Sequence, residues 1–297
     1  LGGRAGDVGT IASLTEERTV ALIGPGRAGT TVALGLAELG WDVVAVAGRA
    51  PDAASVRTAA FGLDARAALV SDVARGAALV VVAVPDRAIE GAITAAAPAM
   101  EDGALVVHLA GAHGLEVFAD LAETRPTVRF GALHPVQTFP TATAGLDRLR
   151  GSWAAVAGDP AVERLARDLG LHPFPIAEAD RAAYHAAAVV ASNHLVALLG
   201  QVERLAEAAG APFAAFAPLV RASVENAFLL GAADALTGPV SRGDLGTVER
   251  HLGALDPAER DAYRSMAREA ARLAGRRDTA LERLFEDLHL PRERPGD

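Results

Sequence analysis

Near the start of the chain, Gly24-Pro25-Gly26-Arg27-Ala28-Gly29 stands between the apolar run Thr19–Ile23 and the helical stretch TTVALGLAELG. This feature constrains the fold more than any other. A G-x-G-x-x-G turn that leaves a strand and opens a helix gives each glycine its own task. Gly24 permits the tight turn, Gly26 lets a pyrophosphate approach the backbone, and Gly29 allows close packing of helix on strand. The helix N-terminus at Arg27 and Ala28 then offers N–H groups and a positive dipole end to phosphate oxygens. The expected fold is a parallel sheet covered by helices, with a dinucleotide at its carboxyl edge.

The sequence beyond the turn agrees. Short hydrophobic runs alternate with alanine-rich helical stretches, the pattern of an α/β domain. Strands are expected at Thr19–Ile23, Val43–Ala47, Leu79–Val84, Leu105–Leu109, Val128–Leu133, Trp153–Ala157 and near His172–Ile176. Their near-continuous hydrophobicity fits burial on both faces. One helical pattern then runs from Ala179 to Ala209, and further helices are expected at about Phe213–Leu236, Pro257–Ala274 and Thr279–Leu288. Asp256 ahead of Pro257 is a good N-cap followed by proline at the first helical position. The predicted organisation is a disordered tail over 1–18, a Rossmann domain over 19–178 and an all-α domain over 179–290.

Composition narrows the chemistry. The net charge of -9 argues against a nucleic-acid partner, which needs a basic face. With no cysteine, thiolate nucleophiles, iron–sulfur clusters and Cys-type zinc sites are excluded. All 28 basic residues are arginine. Schiff-base chemistry, the P-loop lysine and a Tyr-x-x-x-Lys couple are therefore unavailable, and proton transfer falls to His, Asp, Glu, Tyr or water. The histidines show no H-x-x-x-H spacing, so no metal is expected. No apolar segment follows a basic start, and the longest purely apolar runs, such as Ala77–Val84, are too short for a bilayer. A cytoplasmic protein without a membrane partner is predicted.

The second strand ends in Gly48-Arg49, where an NAD site would carry an acid. Arg49 suits the 2′-phosphate of NADP, with Arg27 as a second candidate; otherwise Arg49 is a solvated loop residue. Val84 and Pro85 close the strand from Leu79, beside the expected nicotinamide, and Asp86 is expected to cap the next helix. His134, just past a strand, is either an active-site residue or a hydrogen-bonded turn histidine, with Gln137 and Thr138 beside it. On the long helix, His185 and Ser192 share a face and Asn193 lies about 80° away. Such polar residues need partners when buried: a substrate, or a neighbouring helix. Arg242 has the planar fork for a carboxylate or phosphate. Asp244 either orients it or caps the helix leading to His251. The stretch Tyr184–Leu199 is apolar nearly all round, so burial in a homodimer is expected.

In order, GPGRAGT, VAVPDRAI, HLAGAHG, LHPVQTF, YHAAAVVASNHLVAL and LTGPVSRGDLGTVERHL resemble a family of two-domain Rossmann proteins. The second part of that family is a domain of unknown function, and the resemblance covers roughly residues 19 to 280. The family is similar to the 6-phosphogluconate dehydrogenase-like group, which includes pyrroline-5-carboxylate reductase, ketopantoate reductase, prephenate dehydrogenase and the β-hydroxyacid dehydrogenases. The resemblance implies a hydride-transfer site between the domains and a dimer built by a 6-phosphogluconate dehydrogenase-like helical domain. This chain departs from those relatives at their lysine, where it carries His185 ahead of Asn193. Gly131–Pro135 is similar to the catalytic-histidine loop of prephenate dehydrogenases, but Val136-Gln137-Thr138 and His108-Leu109-Ala110-Gly111 depart from that pattern. The implied activity is NADP-dependent reduction of a small anionic carbonyl or imine, with ketopantoate a candidate. His134 or His185 would donate a proton with a pKa near 6.5 unless its surroundings shift it, Asn193 would bind the reacting group, and Arg242 would hold the anion. The competing expectation is a dinucleotide-binding scaffold or sensor without catalysis.

Overall fold

β1 (Thr19–Ile23), β2 (Asp42–Ala47), β3 (Arg66–Ala68), β4 (Leu79–Val82), β5 (Leu105–His108), β6 (Arg129–Pro135), β7 (Trp153–Gly158) and β8 (His172–Pro175) form one sheet. Its order is β3-β2-β1-β4-β5-β6-β7-β8 in the computed structural model, which describes residues 18–276 and position 283. Sequence patterning misses β3, a three-residue strand with two exposed positions. The sheet is also not wholly parallel: β6 and β7 pair antiparallel, His134 opposite Ala155. Order reverses at β1, which has β2 on one side and β4 on the other. A crevice for a dinucleotide lies at the carboxyl ends of two such strands.

Strand side chains alternate between two cores. Val20, Leu22, Leu79, Val81, Leu105 and Val107 pack on one face, and Ala21, Ile23, Val80, Val82 and Val106 on the other. The first face is covered by α1 (Arg27–Glu38) and α2 (Ala54–Gly62), whose buried residues include Leu36 and Val56. Across the sheet, α3 (Val70–Val73), α4 (Ile89–Ala96) and α5 (Ala119–Thr124) contribute Val73, Ile89, Ile93 and Leu121. α6 (Ala142–Leu149) and α7 (Pro160–Asp168) return to the first face through Leu149, Val162 and Leu165.

The long helical pattern is three pieces: α8 (Arg181–Val189), a π-helical turn over Val190–His194, and α9 (Leu195–Ala208). A π turn breaks the 3.6-residue phase on which a shared face for His185 and Ser192 was expected. The chain divides into two compact units between Ser192 and Asn193, inside that turn, so α8 falls with the sheet. In the second unit follow α10 (Ala217–Leu230), α11 (Ala232–Ala235), α12 (Pro239–Arg242), α13 (Leu245–Ala254) and α14 (Pro257–Leu273). The helix expected over Phe213–Leu236 is interrupted at Gly231, which takes φ +86°. A small core joins Val240, Val248, Leu252, Ala267 and Ala271. Asp256 caps α14 by accepting from Ala258 N–H. Apart from Arg18 and Arg283, the expected N-terminal tail and the helix at Thr279–Leu288 lie outside the described residues.

Although the purely apolar runs of the sequence are short, Glu178–Ala208 and Phe213–Leu230 are each long and apolar enough to cross a bilayer, by length and composition. The stretch Tyr184–Leu199 is half-buried to exposed within one chain. On α10, Leu219 is 64%, Phe228 89% and Leu229 77% exposed.

Candidate active site

The turn after β1 is shaped by close approach. Gly24 takes φ +94°, and a Cβ there would lie 2.5 Å from Ala83 O. A Cβ on Gly29 would lie 2.5 Å from Gly24 O and 2.7 Å from Ala83 Cβ. Both glycines are thus demanded by the protein itself. Gly26 is not: its φ, ψ of -80°, -179° are open to any residue, and no atom lies within 4 Å of its Cβ position. No neighbouring protein atom requires a bare backbone at Gly26, and the open side of the turn leaves room for a pyrophosphate to approach it. As N-cap of α1, Gly26 supplies no capping side chain, so the N–H groups of Arg27, Ala28 and Gly29 remain for an anion. Arg27 is exposed in the turn, and Arg49 is exposed two residues beyond β2. Val84 and Pro85 leave the sheet as a loop two residues past Val82, with Val84 Cγ1 against the Gly24 turn. Asp86 opens a single 3₁₀ turn without capping it; its carboxylate instead lies 4.0 Å from His113.

A second cluster lies at the carboxyl ends of β5 and β6. His134 is inside β6, not past it, and half-buried. Its Nδ1 is 2.6 Å from the Tyr184 hydroxyl. The His185 ring stands edge-on, 5.9 Å from His134 between centroids. Arg181, Tyr184 and His185 occupy positions i, i+3 and i+4 of α8, one face of the helix. Tyr184 packs edge-on against Phe174 of β8. The Ala110–Gly114 loop closes against this group. A Cβ on Gly111 would lie 2.6 Å from His185 Cδ2 and 2.9 Å from His134 Nε2, so only glycine allows the contact.

His108, the last residue of β5, is fully buried and holds that loop. Its Nδ1 accepts from Ala110 N–H at 3.2 Å, which leaves Nε2–H to donate to Gly114 O at 2.8 Å. Burial pushes His108 down to about 4 against the opposing pull of the Gly114 carbonyl. Burial likewise pushes His134 down to about 4, helped by the charges of His185 and Arg181. Tyr184 is raised to about 12 by burial. Both partners in the 2.6 Å bond are therefore neutral, a phenol and an uncharged imidazole whose tautomer sets which of the two donates. His134 is thus shifted well away from the 6.5 of a free imidazole.

Of the residues singled out in the sequence, the structure brings His134 and His185 together. Gln137 and Thr138 are exposed in the next loop, where Gln137 Nε2 donates to Arg148 O and Gln137 Oε1 accepts from Thr138 N–H. Ser192 Oγ donates to Ala188 O at 2.7 Å within the helix. Asn193, Arg242 and Asp244 belong to the second unit. There Asp244 caps α13, accepting from Thr247 N–H at 3.1 Å. Sequence reading missed Tyr184, His108, Arg181 and Gly111. The spacing of Arg181, Tyr184 and His185 was a usable signal. Among the described residues, no group of three His, Cys, Asp or Glu side chains could hold a metal.

Residues 8–135 match the model of a Rossmann-like domain, and residues 154–270 match a domain of unknown function, DUF2520. No curated protein matches the chain. Among solved structures, a Bacteroides fragilis protein classed as an NADP oxidoreductase is 24% identical, with a TM-score of 0.73 over 88% of this chain and 100% of its own. An imine reductase from Myxococcus stipitatus in complex with NADP+ is 18% identical, with a TM-score of 0.60 over 90% of this chain and 99% of that one. Pyrroline carboxylate reductase of Plasmodium falciparum with NADP bound is 13% identical, with a TM-score of 0.57 over 89% and 96% of the two chains. At these identities the likeness establishes a common fold.

Proposed function

We propose that this chain, a Rossmann-like domain followed by a DUF2520 domain, is an NADP-dependent oxidoreductase that reduces a small carbonyl or imine compound. The carrying observation is the neutral His134–Tyr184 pair at the carboxyl edge of the same sheet whose β1 turn carries a Gly26 that no neighbouring protein atom requires to be bare. The names of the structural neighbours, an NADP oxidoreductase, an imine reductase and a pyrroline carboxylate reductase, support the same reading.

Gly24, Gly26, Arg27, Ala28 and Gly29 would hold the pyrophosphate, Arg49 the 2′-phosphate, and Val84 and Pro85 would flank the nicotinamide. The bound cofactor supplies hydride. The protein's part is to orient and stabilise. With the Tyr184 hydroxyl donating to Nδ1, the neutral His134 ring carries its proton on Nε2, the nitrogen beside Gly111. That N–H is the hydrogen-bond donor offered to the oxygen or nitrogen on which charge develops, Tyr184 holds the ring in that tautomer, and the transferred proton is drawn from water. His185, edge-on to the same ring, is the second imidazole within reach.

Incubation of the pure protein with NADPH and a panel of 2-keto acids, ketopantoate first, and cyclic imines tests this. Consumption of NADPH on any member is the expected result. Binding of NADPH without consumption on any of them would leave a dinucleotide-binding scaffold or sensor, a reading that the absence of lysine favours.

A further inference from the structure

Among the described residues, the His134 cluster contains one polar side chain whose donors are unanswered. Arg181 is 2% exposed, its Nε approaches Glu178 Oε1 at 3.4 Å, and neither Nη1 nor Nη2 has a hydrogen-bond partner. A buried guanidinium with idle donors calls for an occupant. The neighbouring side chains do not provide one. His108, His134 and Tyr184 are all neutral, and Glu178 divides its carboxylate between Arg181 Nε and Leu115 N–H. The idle part of the fork is two adjacent terminal nitrogens, a match for the two oxygens of a planar carboxylate. A phosphate dianion would add a second negative charge close to Glu178; a carboxylate adds one. Arg181 also shares its helix face with Tyr184 and His185, so an anion held there would sit alongside the hydrogen-bonding groups.

We propose that Arg181 binds the carboxylate of the substrate, so that the compound reduced is a carboxylate-bearing imine or carbonyl. The inference rests on the reductase reading above. It assigns the anion clamp to Arg181 of the first unit, in place of Arg242 of the second.

Calorimetric titration of pyrrole-2-carboxylate and of pyrrole into the NADP-saturated protein reads the clamp without turnover. Wild type is expected to bind the carboxylate roughly 10- to 100-fold more tightly than pyrrole, and Arg181→Met to erase that difference with NADP affinity unchanged. Equal binding of the two probes, no binding of pyrrole-2-carboxylate, or undiminished carboxylate binding by Arg181→Met overturns the clamp. Should Arg181→Met fail to fold, Arg181→Lys retains the charge and loses the fork, and is expected to weaken the carboxylate probe alone. Failure of the reductase reading is distinct from failure of the clamp. Carboxylate binding that depends on Arg181 without NADPH consumption on any substrate keeps the clamp and removes the reaction. Equal turnover of 1-pyrroline and 1-pyrroline-2-carboxylate keeps the reaction and removes the clamp.

Discussion

Arg49 stands exposed beyond β2, where an acidic side chain would accept the ribose hydroxyls of NAD. A charge-assisted contact is worth about 1.5–3 kcal/mol, so Arg49→Ala is expected to weaken NADP roughly 10- to 100-fold in a fluorescence titration. NAD should barely change; equal wild-type affinity for the two cofactors would remove the argument. Tyr184→Phe deletes the hydroxyl bonded to His134 Nδ1 and is expected to lower the maximal rate by roughly 10²- to 10⁴-fold with NADP binding intact. Because His134 stays neutral down to about 4, its contribution to the rate should be flat through neutral pH, without the fall on raising pH that a donor titrating near 6.5 would give. Stability does depend on pH below that range. The unfolded chain takes up a proton on His108 below a pKa near 6.5, while the folded chain resists until about 4. This histidine's stabilisation, on the order of 3 kcal/mol, is complete above 6.5 and lost as pH falls from there toward 4. A His108→Asn variant with the wild type's full slope of melting temperature over that range would contradict it. Gly24 and Gly29 were legible in the sequence because their requirement is local. Arg181 and Tyr184 were not, because their roles depend on which face of α8 meets β6.

At the level of elements, hydrophobic runs located the strands well because these are buried on both faces, and a buried strand is written almost entirely in apolar residues. β3 escaped because Arg66-Ala67-Ala68 has neither length nor apolar content. The antiparallel turn of β7 escaped because pairing direction leaves no mark on composition. The α1–α6 contact also depends on a residue that looks unremarkable in sequence. Thr31, fully buried, bonds Ala142 O through its hydroxyl at 3.0 Å, and a Cβ on Gly145 would lie 2.5 Å from that hydroxyl and 2.9 Å from Phe139 Cδ1. Gly145→Ala is therefore expected to overpack the joint and cost roughly 1–3 kcal/mol in denaturant unfolding. Since α1 carries the phosphate-facing turn, NADP affinity should fall with it. A fully stable variant with wild-type affinity would show that α6 moves aside freely.

For the whole molecule, the change from alternating strands to unbroken helix was visible in the sequence, and the two compact units fall on either side of it, although their boundary lies inside the helix at Ser192–Asn193. The apolar circumference of Tyr184–Leu199 already called for cover from outside one chain; what the sequence did not single out was that α10 is equally open. Phe228 and Leu229 stand largely in solvent, and the helices are apolar enough to pass for membrane spans. Arg221 and Glu225 sit midway along Phe213–Leu230, and His185, Asn193 and His194 interrupt Glu178–Ala208. An arginine at the centre of a membrane helix costs about 2.5–3.5 kcal/mol or more, so a bilayer is a poor cover for these surfaces. A second copy of the chain can leave such side chains at a wet rim while burying Leu219, Phe228 and Leu229. We propose that cover, a homodimer built by the second unit. Light scattering at micromolar concentration should give twice the chain mass, and Phe228→Asp should return the chain to a monomer without altering NADP binding by the first unit. A monomeric wild type would refute the homodimer, and wild-type protein that floats with phosphatidylcholine vesicles would transfer the same surface to a membrane.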